Sequence, residues 1–267
     1  MTELGRVAVR RLGAGPDVVL LHGLLGLGAQ WLGCAELFGK EFTCWILELP
    51  GIGTSESNGD YTLAGLRRWL ELALEALELP RFCLVGSSWG GALALEFAAH
   101  SPLRGRLRRQ VLAAPAHPLW TPNQRQRWLL TPPWTRWVAR LGAHVSLTVQ
   151  REALARMFGD RARMPPESAA NYRWVLRRPG LGRALEGYAR DWRGDQERLR
   201  AALPNVAAPT LLVWGTRDLA VPAATAAGLH DALPHARLEL LPGLGHLPFE
   251  EDPAAFARLA APFLAEA

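Results

Sequence analysis

Hydrophobic positions along this chain follow two alternating patterns. Short, nearly continuous apolar runs end in glycine, proline or serine: DVVLLHG (17–23), FTCWILELPG (42–51), RFCLVGSS (81–88), RQVLAAP (109–115), PTLLVWG (209–215) and ARLELLPG (236–243). Their length, β-branched content and turn-forming ends predict buried strands rather than helices. An alternation through Val7 and Val9 predicts a further strand near the start. Between the runs the period changes to that of a helix. The stretch TLAGLRRWLELALEALEL (62–79) places Leu63, Leu66, Leu70, Leu74 and Leu77 at helical spacing, Leu93 and Phe97 lie in a second helix, and 223–233 and 254–264 form two more. Strands alternating with helices predict an α/β fold, a mostly parallel twisted sheet with helices on both faces. Ligands of such a sheet bind beyond the carboxyl ends of its strands.

The alternation stops between residues 115 and 205. There NQRQRWLL, WTRWVARL, QREALARMF and AANYRWVLRR follow one another without a clear strand, punctuated by Pro132-Pro133 and Pro165-Pro166. This predicts an inserted helical cap, 115–205, within a core made of 1–114 and 206–267. Six of the 11 tryptophans fall in the cap: Trp120, Trp128, Trp134, Trp137, Trp174 and Trp192.

Composition changes this picture in three places. With 49% hydrophobic residues, a 267-residue chain has enough apolar surface for one large domain with an insertion. The net charge of +5 is segregated, since 115–205 holds 16 arginines against 7 acidic residues while the remainder is net acidic. No nucleic-acid recognition motif accompanies the arginines, so no nucleic-acid partner is expected. Two readings of the cap stand side by side. In one, the tryptophans pack the cap onto the core and the arginines form a solvated face. In the other, some of Trp128, Trp134, Trp137 and Trp174 line an apolar acyl pocket and the arginines favour acidic substrates or anionic lipid surfaces. The three cysteines, Cys34, Cys44 and Cys83, suggest neither a disulfide framework nor a zinc site. No apolar run has membrane-spanning length, and the opening MTELGRVAVRRLGAG does not read as a secretory leader. A reduced, cytoplasmic protein without a stable membrane anchor is expected.

Candidate chemistry begins at LVGSSWGGALALEFAAH (84–100), a glycine-rich turn between an apolar strand and an apolar helix. Gly86, Ser88 and Gly90 match G-x-S-x-G, which selects Ser88 over Ser87 as nucleophile; the tight turn strains the serine backbone and leaves room only for small neighbours. A serine needs a base. LPGLGHLPFEEDP places His246 in a glycine-flanked loop after the last predicted strand, at the same sheet edge as Ser88. An acid must orient that imidazole. In LLVWGTRDLAVP, Asp218 lies just past the preceding strand, where it reads either as that acid or as a turn-capping residue. LLHGLLGLG follows the first buried strand and offers the backbone N–H of Leu24 as an oxyanion donor, with the N–H of Trp89 as its partner at a helix N-terminus. His22 reads as a structural histidine bonded to backbone.

Taken together, HGLLG, ELPGIGTSE, VGSSWGG, LLVWGTRD and LPGLGHLPFEEDP resemble the α/β-hydrolase superfamily, in its order of nucleophile, acid and histidine. The resemblance covers nearly the whole chain outside the cap. One departure is Glu48, where the family segment D-x-P-G-x-G-x-S usually has Asp. The resemblance implies a serine hydrolase that cleaves carboxylic esters of small molecules through an acyl-enzyme, with the triad Ser88, His246 and Asp218 and no metal or cofactor. Carbon–carbon bond hydrolases and perhydrolase-like members share the fold and stay open as alternatives, as does a slow-turnover binding protein.

Overall fold

The computed structural model describes residues 5–57, 59–120 and 144–266. Its seven strands are β1 (Val9–Leu12), β2 (Asp17–Leu21), β3 (Thr43–Leu47), β4 (Phe82–Ser87), β5 (Leu107–Ala113), β6 (Thr210–Gly215) and β7 (Ala236–Leu241). They form one sheet in the order β1-β3-β2-β4-β5-β6-β7, in which β1 pairs antiparallel with β3 and the other pairs are parallel. Each of the six apolar runs contains the greater part of one strand. The early alternation also belongs to a strand, but β1 begins at Val9 and leaves Val7 outside it.

β4 and β6 are buried throughout and β2 nearly so, because helices cover both faces of the sheet and leave little room for polar alternation. The two faces can be read residue by residue. Val19, Leu21, Leu84, Leu112 and Leu212 enter one core; Val18, Leu20, Val85, Val111 and Val213 enter the other. The first core packs against α2 (Leu63–Ala76), α3 (Trp89–His100) and α8 (Ala226–Ala232); the second packs against α1 (Leu32–Phe38) and α10 (Pro253–Ala265). Local chemistry sets the starts of these helices. The Thr62 hydroxyl accepts from Gly65 N–H at 2.9 Å to cap α2, and the Asp252 carboxylate accepts from Ala255 N–H at 2.9 Å to cap α10, whose first residue is Pro253. Outer strand β1 carries Arg10 and Arg11, which suits an edge open to water.

Between β5 and β6 the described residues hold α4 (Leu147–Ala155), α5 (Ser168–Leu176), α6 (Leu181–Arg190) and α7 (Trp192–Ala202). QREALARMF and AANYRWVLRR overlap α4 and α5, whereas NQRQRWLL and WTRWVARL lie outside the described residues. α7 is fastened to the core by polar contacts. Asp195 Oδ2 accepts from Leu63 N–H at 2.9 Å, and Arg198 reaches the fully buried Glu96 of α3 at 3.2 Å. Burial pushes the Glu96 carboxyl pKa up, with His100, Arg198 and Arg67 pulling against it. Two acidic residues, Asp195 of α7 and Glu96 of α3, thereby fasten α7 to α2 and α3.

Candidate active site

β4 runs into α3 through Ser87 and Ser88. Ser88 sits at φ 49° and ψ −112°, a left-handed conformation that is strained for a residue with a side chain. Its neighbours must therefore be small. A Cβ on Gly86 would lie 2.5 Å from the Gly90 carbonyl oxygen, and one on Gly90 would lie 2.4 Å from that of Leu21. Backbone holds the turn from both sides: Ser88 N–H donates to Ala113 O at 3.0 Å, while Ala92 and Ala116 N–H donate to Ser88 O at 3.1 and 2.9 Å. Ser87 is fully buried and its hydroxyl has no partner among the described residues.

His246 and Asp218 come from the loops after β7 and β6. The Asp218 side chain is fully buried. Its Oδ1 accepts from Ala220 N–H at 2.8 Å and Val221 N–H at 3.0 Å, while its Oδ2 lies 2.8 Å from His246 Nδ1. The backbone contacts and the histidine contact thus belong to different oxygens of one carboxylate. With Nδ1–H donating to Asp218, Nε2 is left to act as a base. Backbone fixes the histidine as well, since His246 N–H donates to Met157 O at 2.7 Å, the residue two past the end of α4.

The loop after β2 passes beside the serine. A Cβ on Gly23 would stand 3.0 Å from that of Ser88, so only glycine lets the loop approach this closely. Gly26 N–H donates to Gly23 O at 3.1 Å across a turn in which Leu25 takes φ 60°. His22 is wholly buried; its Nδ1 lies 2.9 Å from Gly23 O, and its Nε2 accepts from Leu49 N–H at 2.9 Å. Both ring nitrogens are taken by backbone, which suits a structural part. Glu48, the departure from the family pattern, points toward the same loop and accepts from Gly28 N–H at 3.0 Å.

Ser88 and His246 line one cavity of about 320 Å³, together with Leu24 and Trp89. Trp120, Leu185, Tyr188, Trp192 and Val221 supply its apolar walls, and no side chain of Arg, Lys, Asp or Glu lines it among the described residues. The aromatic wall is continuous: the Trp89 ring meets Trp192 at 4.6 Å and Tyr188 edge-on at 5.3 Å. Tyr188 hydroxyl donates to Pro50 O at 3.0 Å, and burial pushes its pKa up. A larger open groove of about 1070 Å³, lined by Arg178, Arg183 and Glu186, lies elsewhere and touches neither Ser88 nor His246.

The expected acyl-pocket tryptophans fare differently. Trp128, Trp134 and Trp137 lie outside the described residues. Trp174 is corrected: it is 44% exposed, stacks under Arg178 at 4.9 Å and lines a separate shallow groove. Its face of α5 turns to solvent, so hydrophobicity alone misplaces it. The residues missed were Trp120, Leu185, Tyr188 and Trp192. A signal for two of them was present, because Leu181, Ala184, Leu185 and Tyr188 recur at i, i+3, i+4 and i+7 and are buried. Among the described residues, no group of three or more His, Cys, Asp or Glu is arranged to hold a metal ion, and no helix is long and apolar enough to cross a membrane.

Residues 16–253 match the family model of the alpha/beta hydrolase fold. The chain belongs to the alpha/beta hydrolase family. This hydrolase is 30% identical to the pimeloyl-(acyl-carrier protein) methyl ester esterase of Nitrosomonas europaea, over 95% of this chain and 97% of that protein. Among solved structures, the epoxide hydrolase CorEH superposes with a TM-score of 0.85 at 20% identity, covering 97% of this chain and 94% of its own, a likeness of fold alone. A thermophilic esterase from Thermogutta terrifontis superposes with a TM-score of 0.79 at 25% identity, covering 97% and 92%.

Proposed function

We propose that this hydrolase cleaves carboxylic esters through an acyl-enzyme on Ser88. The observation that carries the proposal is the 2.8 Å contact of His246 Nδ1 with Asp218 Oδ2, at a cavity that the strained Ser88 also lines. In this mechanism Ser88 Oγ attacks the ester carbonyl while His246 Nε2 takes its proton. The N–H groups of Leu24 and Trp89 hold the developing oxyanion. Trp89 is the first residue of α3, so its N–H has no partner within the helix. Loss of one such donor costs about 3 kcal/mol. His246 then returns the proton to the departing alcohol, and water repeats the cycle on the acyl-enzyme. Asp218 holds the imidazole in the tautomer this requires and stabilises the imidazolium.

The cavity favours an uncharged acyl group. An apolar chain there is paired with the rings of Trp89, Trp120 and Trp192, whereas a substrate carboxylate would meet no arginine or lysine among the described residues. That weighs against a carbon–carbon bond hydrolase acting on a diketone acid. A second reading is a methyl ester at the end of a carrier-borne chain, which the 30% identity to the Nitrosomonas europaea esterase favours.

A turnover panel tests both readings. Nitrophenyl esters of graded acyl length should be hydrolysed, diketone acids should not, and the Ser88→Ala variant should be inactive while Ser87→Ala keeps substantial activity. A fluorophosphonate should label Ser88. An active Ser88→Ala variant, or exclusive turnover of diketone acids, would overturn the proposal. Methyl esters of long diacid thioesters distinguish the second reading.

A further inference from the structure

Two consecutive acids follow the catalytic histidine loop, and they do different things. Glu251 accepts three backbone N–H groups, those of Gly159, Asp160 and Gly245, and so clamps the chain. Glu250 is equally buried but takes side chains instead. Its Oε2 accepts from Gln30 Nε2 at 2.8 Å, and its Oε1 accepts from the Ser168 hydroxyl. Gln30 stands in the 3₁₀ turn Gly28–Trp31, between β2 and α1; Ser168 is the first residue of α5; Glu250 lies in the short helix α9 (Pro248–Glu251), four residues past His246.

Gln30 is held in one orientation. Its Oε1 accepts from Leu27 N–H at 3.3 Å, which leaves its Nε2 to donate to Glu250. The Leu24–Gly28 loop lies directly on this amide, since a Cβ on Gly26 would stand 2.2 Å from Gln30 Oε1. One carboxylate therefore ties together the loop that carries Leu24, the segment that carries His246 and a helix of the cap. As a purely stabilising element it is a poor one, because both partners are neutral and a buried carboxylate loses its hydration. Burial pushes its pKa up to about 7, against the bonds from Ser168 and Gln30.

We propose that Glu250 is a positioning residue that holds the Leu24–Gly28 loop against the reacting carbonyl through Gln30, and that it couples this loop to the seating of α5 through Ser168. This rests on Leu24 as an oxyanion donor. The loop is needed most when charge develops on the carbonyl oxygen, so a loosened loop lowers kcat more than it raises KM.

The test uses the full chain with a nitrophenyl ester, with kcat normalised to fluorophosphonate-labelled Ser88. Gln30→Met and Glu250→Leu should each lower kcat by about tenfold, with KM within about twofold, and the double variant should lose no more than the worse single one. Glu250→Gln should retain kcat within about threefold, because its amide oxygen still accepts from Gln30 and its amide NH₂ donates to Ser168. If Glu250→Leu does not fold, Gln30→Met and Glu250→Gln still decide. Wild-type kcat in Gln30→Met, additive losses, or a Glu250→Gln variant as impaired as Glu250→Leu would overturn the proposal. So would variants whose Tm falls while kcat per labelled serine does not. Inactive Ser88→Ala together with unaffected Gln30→Met sinks this proposal alone, whereas active Ser88→Ala sinks the esterase reading beneath it.

Discussion

Asp218→Asn separates the two jobs of one carboxylate. In the wild-type protein Oδ1 accepts from the Ala220 and Val221 N–H groups, and Oδ2 faces His246 Nδ1 at 2.8 Å. An asparagine has one acceptor oxygen and one donor NH₂. Turning its NH₂ toward the two backbone N–H groups would forfeit both bonds, at about 1–3 kcal/mol each. The amide oxygen therefore stays with the backbone and the NH₂ faces His246, whose Nδ1 must then be the acceptor. The ring proton moves to Nε2, which is the nitrogen that should take the proton of Ser88. A preference of even 2 kcal/mol leaves only about 3% of molecules in the flipped, competent arrangement. Loss of the charge that stabilises the imidazolium adds to this, and the total should approach about 10⁴ in kcat, the size of the same exchange in another serine triad. Stability should follow the other oxygen. Asp218→Asn keeps the backbone acceptor and should unfold near the wild-type temperature. Asp218→Ala removes it and should lose about 1–3 kcal/mol at the buried Val221 N–H alone. Burst kinetics with a nitrophenyl ester and thermal unfolding of the two variants check this. An Asp218→Asn variant within tenfold of wild-type kcat, or one as unstable as Asp218→Ala, refutes the reasoning.

Gly90→Ala should cost about 3 kcal/mol or more and lower kcat, because its Cβ would sit between the Leu21 and His22 carbonyl oxygens at 2.4 and 2.6 Å; Gly105→Ala, with nothing within 4 Å, should leave urea stability within about 0.5 kcal/mol. Two buried groups should tilt the pH dependence of stability in opposite directions. Burial lowers the His117 pKa from 6.5 to about 4, so stability present above pH 6.5 is lost as pH falls through 4; Glu250, raised from 4.5 to about 7, adds stability below 4.5 that is lost as pH rises through 7. Each contribution is about 3 kcal/mol at most, and the difference between wild-type and Glu250→Gln unfolding curves should fall across pH 4.5–7; parallel curves would count against the raised Glu250 pKa. Trp192→Leu should shift the acyl-length optimum of kcat/KM toward longer chains, since Trp192 walls the cavity 4.6 Å from the Trp89 ring.

The strand-and-helix order was legible because β2, β3, β4 and β6 are nearly unbroken apolar runs and α2 shows an apolar stripe. Ser88 was legible for a related reason: its turn admits only glycine at 86 and 90, so geometry writes itself into residue type. His246 and Asp218 were placed by topology, since both follow strands at the carboxyl edge of a parallel sheet. Leu24 and Trp89 were reached as candidates from the turn after the first buried strand and from the place after Ser88, and both line the cavity; the role proposed for each rests on a backbone N–H and leaves no mark on side-chain identity.

Among the described residues, tertiary structure alone decided which tryptophans face the serine. Trp174 and Trp192 look alike as cap tryptophans, yet one is open to solvent and the other is buried against Trp89, because helix rotation depends on what each helix packs against. The bond from Gln30 to Glu250 spans 220 positions and has no local pattern at all. Periodicity records how a segment meets water and core. A contact between two polar side chains from distant segments is recorded only where the folded chain brings them together.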